Sequence, residues 1–176
     1  GRPLAEARPK IVAPGGAGWD SIEIVQPDFA LRVACLGMFG MSGDLIDLPP
    51  AVRERIRLHL DFFKAWRRFI HSAEVTPLTP ARPKSDRSGW LAFHLRHPDH
   101  PRQSLLFVFR LDDPRTEHTW RLFDLDPDAR YTFRAFDAPE TDASIESGSA
   151  LRQAGRVVSL PAPRSAGIYI LSRVDR

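Results

Sequence analysis

At 176 residues the chain is long enough for one domain or two small ones and should bury roughly 70% of its unfolded surface. Its 43% hydrophobic and 27% charged content is that of an ordinary soluble protein. No apolar run approaches the ~20 residues of a membrane-spanning helix, and the opening Gly1-Arg-Pro-Leu-Ala-Glu-Ala-Arg-Pro-Lys10 has no secretory apolar core. The net charge of +3 does not describe a nucleic-acid binder. Residues 1–73 hold ten Lys/Arg against eight Asp/Glu, residues 74–176 fifteen against fourteen, and the longest basic run is Arg67-Arg68. A phosphate-tracking surface needs its cations clustered on one face. The expected protein is soluble, binds neither nucleic acid nor membrane, and favours a cytoplasmic setting. Without an initiator Met, it reads as a fragment or a processed chain.

In chain order, the Pro- and Gly-rich stretch around Ala13-Pro-Gly-Gly-Ala-Gly18 is loop, and Ile22-Glu-Ile-Val25 is a short strand by alternation. The run Phe29–Phe39 contains the only cysteine, Cys35, expected to be a buried, inert thiol. It reads as a helical turn passing into a buried strand around 33–38. Glycines 37, 40 and 43 then form a tight loop before a helix from Pro50 to Ser72. In that helix Val52, Ile56, Leu60, Phe63 and Ile70 fall on one stripe, Pro50 suits the first turn, and Arg67, Arg68 and His71 suit the negative end of the dipole. Strand, Gly loop and helix together describe a βα unit, with Met41, Ser42 and Asp44 at the carboxyl end of the strand, where barrel enzymes keep their chemistry.

Residues 75–88 lose periodicity and are expected to be a linker. Beyond them come six strand-like runs at 89–95, 103–111, 119–123, 130–136, 156–160 and 167–171, separated by turns such as His97-Pro-Asp-His-Pro101, Asp112-Asp-Pro114 and Asp126-Pro-Asp128. Only Ser149–Ala154 carries a helical pattern. This spacing predicts an antiparallel β-sandwich. The fold class is therefore an α+β fragment, the last βα unit or units of a (β/α)8 barrel (1–73) followed by an antiparallel β-sandwich domain (74–176).

His94, His97 and His100, with Asp99, recur at short intervals, but a strand and a Pro-rich turn do not align them as metal ligands, so no metal is expected. No Ser or Cys nucleophile motif, phosphate loop or dinucleotide fingerprint appears. Trp90, Trp120, Tyr131 and Tyr169 are candidate sugar platforms, yet three of them lie in apolar strand runs and are expected in the core.

The segments Arg32-Val-Ala-Cys-Leu-Gly37, Gly40, Gly43-Asp-Leu45, Leu48-Pro-Pro-Ala-Val-Arg-Glu-Arg-Ile56 and Phe62-Phe-Lys-Ala-Trp-Arg-Arg-Phe-Ile70 resemble the last βα unit of glycoside hydrolase family 36, the α-galactosidase (melibiase) group of clan D. Further on, Val108-Phe-Arg-Leu-Asp-Asp113, Leu125-Asp-Pro127 with Tyr131, Ser147-Gly-Ser-Ala-Leu-Arg-Gln-Ala-Gly155 and Ala166-Gly-Ile-Tyr-Ile-Leu171 resemble its C-terminal β domain in the same order. The resemblance implies the C-terminal part of a retaining hydrolase that closes the catalytic barrel and packs a β-sandwich against it. The two carboxylates of such an enzyme would lie upstream. Lys84-Ser-Asp86 and Arg110-Leu-Asp112 mimic the family settings, but neither follows a barrel strand, so no catalytic residue is assigned in this chain and the isolated chain is expected to be inactive. Met41, Ser42 and Asp44 would rim the substrate side. The implied partners are the upstream barrel and an α-galactoside-type carbohydrate, with no cofactor and with room for a homo-oligomer. The alternative is a stand-alone carbohydrate-binding β-sandwich.

Overall fold

The computed structural model describes residues 27–40, 48, 50–83 and 85–174. The chain divides into two compact units, residues 1–67 and 68–176. Among the described residues, no helix is long and apolar enough to cross a membrane.

The first unit holds α1 (Pro27–Cys35) and most of α2 (Pro50–Ser72). The strand expected around 33–38 is not there: the residues up to Cys35 are helical, and no strand precedes α2 among the described residues. The reasons are local. Pro27 opens α1 with a φ already suited to a helix. Asp28 sits in the first turn, where the helix dipole favours an anion, and faces Arg32 one turn on at 3.9 Å. Leu31 and Cys35 are buried one turn apart while Val33 between them is exposed. Leu31 clusters with Val52 and Ile56 of α2, and Phe39, Leu48 and Leu60 pack around them. Arg55 clamps the pair of helices by donating from Nε and Nη2 to the two oxygens of Asp28 at 2.9 and 2.6 Å. Burial of Asp28 opposes its charge, but the Arg55 bond and the nearby guanidinium groups outweigh it and hold the carboxyl below its usual range. Cys35 is the buried thiol expected, pushed up to about 12 by desolvation.

The strands of the second unit are β1 (Glu74–Pro77), β2 (Trp90–Arg96), β3 (Gln103–Arg110), β4 (Glu117–Trp120), β5 (Arg130–Ala135), β6 (Ser144–Ser147), β7 (Arg156–Ser159) and β8 (Ser165–Val174). They form a six-stranded antiparallel sheet, in the order β1-β2-β3-β8-β5-β6, and a two-stranded sheet, β4-β7. A short helix, α3 (Gly148–Gln153), joins β6 to β7. The expected linker at 75–88 thus begins inside a strand. β1 pairs with β2, Glu74 opposite Arg96 and Pro77 opposite Phe93. It is an outer strand of the sheet, where a proline without an N–H is tolerated.

Side chains alternate strictly across the large sheet. One face carries Trp90 and Ala92 of β2, Leu106 and Val108 of β3, Leu171 of β8, and Tyr131 and Phe133 of β5. Trp120 of β4, Val158 of β7 and Leu151 of α3 complete this core, so the architecture is an unequal sandwich. Trp90, Trp120 and Tyr131 are core residues, at most 4% exposed. None of the three offers a face to a sugar in solvent.

Two glycines are required by the packing of α3. Ser147 caps the helix, its Oγ accepting from Ala150 N at 3.1 Å. Gly148 passes so close to the β4–β5 loop that a Cβ there would lie 1.9 Å from the Asp126 carbonyl oxygen. Gly155, just past the helix, has φ +80°, the left-handed conformation that ends helices. Both belong to the Ser147–Gly155 motif.

Candidate functional site

Met41, Ser42 and Asp44, the substrate-side loop expected from sequence, lie outside the described residues, as does Lys84. Of the loop glycines, Gly37 and Gly40 have no described residue within 4 Å of where a Cβ would be, and no positive φ. Neither position needs a glycine for steric reasons.

Asp112 meets the residues that follow Asp86 in sequence, but the two aspartates do not form an acid–base pair. Ser88 forms a parallel bridge with Asp112, and Asp112 N donates to Arg87 O at 3.0 Å. Asp86 accepts from Ser88 Oγ and N at 2.7 and 2.9 Å, with Arg82 Nη1 at 3.3 Å. Asp112 is gripped by Arg164 through two bonds of 3.2 and 3.1 Å. The Ser88 bonds lower the pKa of Asp86 and the Arg164 fork lowers that of Asp112. A general acid in a glycosidase needs the opposite shift. Asp113 is held lower still, at about 2, by the side-chain and backbone donors of Arg115.

The three histidines are not brought to one point as a metal site. His97 and His100 meet at a tilt in the β2–β3 hairpin with ring centres 4.8 Å apart, Phe69 lying 5.4 Å from the first. His94 is sealed in the sheet with no exposed surface. Among the described residues no group of three or more His, Cys, Asp or Glu could hold a metal. Both ring nitrogens of His94 lack a partner among the described residues. Desolvation, helped by Arg96 and opposed by Asp124, drops its pKa to about 4. It is neutral at physiological pH.

The feature that sequence reading missed is a polar pocket of about 300 Å3 at one end of the core face. Along β2 that face runs Trp90, Ala92, His94, Arg96, from apolar to charged, and the register sets Arg96 between Glu74 of β1 and Ser104 of β3. On the other side Arg173 of β8 lies opposite Tyr131 of β5. The β4–β5 loop brings Asp124, Leu125 and Asp126 over this end, and the β2–β3 hairpin contributes Pro98 and Pro101. Ion pairs organise the charges: Arg96 with Glu74 at 3.4 Å and with Asp124 at 3.6 Å, Arg173 with Asp126 at 3.0 Å. Thr76 Oγ1 donates to Asp124 at 3.3 Å. The Asp126-Pro-Asp128 turn is built by Asp128 N donating to Asp126 Oδ1 at 3.0 Å, and Asp126 N donates to the Tyr131 hydroxyl at 3.1 Å. The site draws on six separate stretches of sequence, which is why no local motif announces it.

No protein-family model matches the chain, and no curated protein matches it. Solved structures do. The α-galactosidase from Lactobacillus brevis superposes with a TM-score of 0.70 at 15% identity, over 88% of this chain and 21% of its own. A doubly substituted family 36 α-galactosidase AgaA from Geobacillus stearothermophilus, solved with raffinose, gives 0.67 at 18% identity over 91% and 20%. The galactosidase domain of an α-galactosidase–sucrose kinase, AgaSK, gives 0.66 at 22% identity over 82% and 19%. The fold is that of part of the family 36 α-galactosidases. The chain spans about a fifth of the length of the solved chains that it matches, and at these identities the likeness establishes fold alone.

Proposed function

We propose that the chain is the C-terminal part of a retaining α-galactosidase-like glycoside hydrolase. Residues 1–73 close its catalytic barrel, with α2 as an outer barrel helix, and residues 74–176 are the β domain appended to it. The observation that carries this reading is the match of some nine-tenths of the chain to α-galactosidase structures. The order of sequence segments from Arg32 to Leu171 supports it independently.

Retention requires two carboxylates about 5–5.5 Å apart across the glycosidic bond, one of them with a raised pKa. Asp86 and Asp112 are ion-paired and shifted the other way, so in this reading the nucleophile and the acid come from upstream barrel strands. Met41, Ser42 and Asp44 then approach the α-galactoside from the rim, and no cofactor takes part. A stand-alone sugar-binding sandwich is the less favoured reading, because Trp90, Trp120 and Tyr131 are spent on the core. The test is the coding sequence upstream of Gly1. It should encode a (β/α)8 barrel with an aspartate at the end of each of two strands; an unrelated domain or a stop there would refute the proposal.

A further inference from the structure

Ser104 is the anomaly of the polar pocket. The residue is 4% exposed, lines the cavity, and its hydroxyl has no partner among the described residues. A buried hydroxyl left unbonded is costly, and an occupant able to bond it removes that cost. The charges around it narrow the choice of occupant. Glu74, Asp124 and Asp126 are set against Arg96 and Arg173 in pairs of 3.4, 3.6 and 3.0 Å. The walls thus hold three carboxylates against two guanidinium groups, one net negative charge that opposes an anionic guest, and each of these charges already has an ion-pair partner.

The paired groups nonetheless keep capacity. An ionised carboxylate has about four acceptor sites and a guanidinium five donors. Asp126 uses Oδ1 for Asp128 N and Oδ2 for Arg173, which leaves a lone pair on each. Alternating acceptors and donors at this spacing suit adjacent hydroxyls, because each hydroxyl both donates and accepts. Pro98, Pro101 and Leu125 supply apolar surface on the remaining sides, as a sugar ring's C–H face requires. The volume, about 300 Å3, is at the lower end of small-molecule sites. It admits one ring and not a chain of them.

We propose that this pocket binds a single neutral hexose unit, with Ser104 Oγ bonding one hydroxyl and the Asp124, Asp126 and Arg96 groups bonding its neighbours. The preference for a neutral polyol follows from the pocket's own chemistry; the choice of a hexose, galactose first, rests on the proposed function. The 15N-labelled full chain is titrated with galactose, glucose, myo-inositol and galacturonate while amide shifts are followed. Galactose should saturate the amides of Ser104, Asp124 and Asp126 with a Kd of roughly 1 mM, a usual strength for one small ring. Ser104→Ala should weaken it about ten-fold and Asp126→Asn by a similar factor, as loss of one hydrogen bond predicts, with the rest of the spectrum unchanged. Absence of saturable shifts at about 100 mM sugar, a hundred times that Kd, would overturn the inference. So would binding indifferent to Ser104→Ala, or a preference for galacturonate over galactose. Saturation by myo-inositol with both hexoses silent would overturn the assignment to a hexose. A silent pocket in a chain whose upstream sequence does carry the barrel sinks this inference and leaves the proposed function standing.

Discussion

Replacing Gly148 with alanine tests the packing on which the β domain and its pocket both depend. The added Cβ would lie 1.9 Å from the Asp126 carbonyl oxygen and 3.2 Å from the Tyr131 ring. The first contact is with backbone, which cannot rotate away as a side chain would, so α3 and the β4–β5 loop must separate by roughly 1 Å, a core overpacking. That movement strains two bonds, Gly148 N to Ala129 O at 2.8 Å and Ser149 N to Pro127 O at 3.1 Å. Overpacking costs about 1–3 kcal/mol and each of the two weakened hydrogen bonds about 1 kcal/mol, giving a total of about 3–5 kcal/mol. For a chain of this size each kcal/mol is worth about 2–4 °C in Tm, so the melt should fall by about 10 °C. Tryptophan fluorescence is the appropriate probe, because Trp90 and Trp120 lie in the affected core. Gly40→Ala is the control: no described residue lies within 4 Å of its Cβ position, and its melt should not move. A Gly148→Ala melt within about 2 °C of the parent, less than 1 kcal/mol on this scale, would refute the argument.

Acid should loosen the fold through His94. Its folded pKa, about 4, lies below the 6.5 of an unperturbed histidine, so between those values the unfolded chain binds a proton that the native one does not, and stability is lost as the pH falls. The loss from pH 7 to pH 5 should be about 2 kcal/mol by urea unfolding. His59 and His118, also lowered by burial, add to it with the same sign. His94→Leu should remove its share of the slope; an unchanged slope would contradict the assignment. Arg110, 5% exposed, donates to Leu160 O and Pro161 O at 2.6 and 2.7 Å and twice to Asp113 O at 3.2 and 2.7 Å. Arg110→Leu leaves those carbonyls orphaned and should cost roughly 3–5 kcal/mol in chemical denaturation, with Arg110→Lys recovering only part because the planar fork is lost. A neutral Arg110→Leu would mean that water replaces the guanidinium without penalty. The chain alone should release no nitrophenol from an aryl α-galactoside. Turnover that Asp86→Asn or Asp112→Asn abolishes would show that these ion-paired aspartates are catalytic after all.

Where the sequence was readable, a strong period met a single environment. α2 occupies the predicted Pro50–Ser72, although its buried side is turned toward His59, Phe62 and Phe69 rather than the expected Leu60 and Phe63. The alternation of Tyr131 and Phe133 against Thr132 and Arg134 appears directly in the burial of β5. The end of α1 reads as the start of a strand at 33–38 because the run Phe29–Phe39 has no decisive period; Pro27, Asp28 and the one-turn spacing of Leu31 and Cys35 are the competing signals. β1 and β6 were missed for the reverse reason. Each is four residues long at an edge of the sheet, and both are largely polar and solvent-facing, with Val75 and Ile145 exposed. The pocket was illegible because its chemistry lies in register, not in spacing: Glu74, Arg96 and Ser104 become neighbours only when three strands pair.

The position of β8 sets an order of events for the growing chain. It follows every other strand of its unit in sequence, yet it stands inside the sheet, pairing with β3 on one side and β5 on the other. Until Ser165–Val174 has left the ribosome, β1-β2-β3 and β5-β6 are two separate sheets, each with a bare apolar edge at β3 or β5. The first is exposed for the time taken to translate more than fifty residues, several seconds at about 5–20 residues per second. Such edges pair readily with foreign strands. Synthesis, more than the finished fold, is therefore when this domain is most open to aggregation, and a chain stopped before Ser165 would remain in that state permanently.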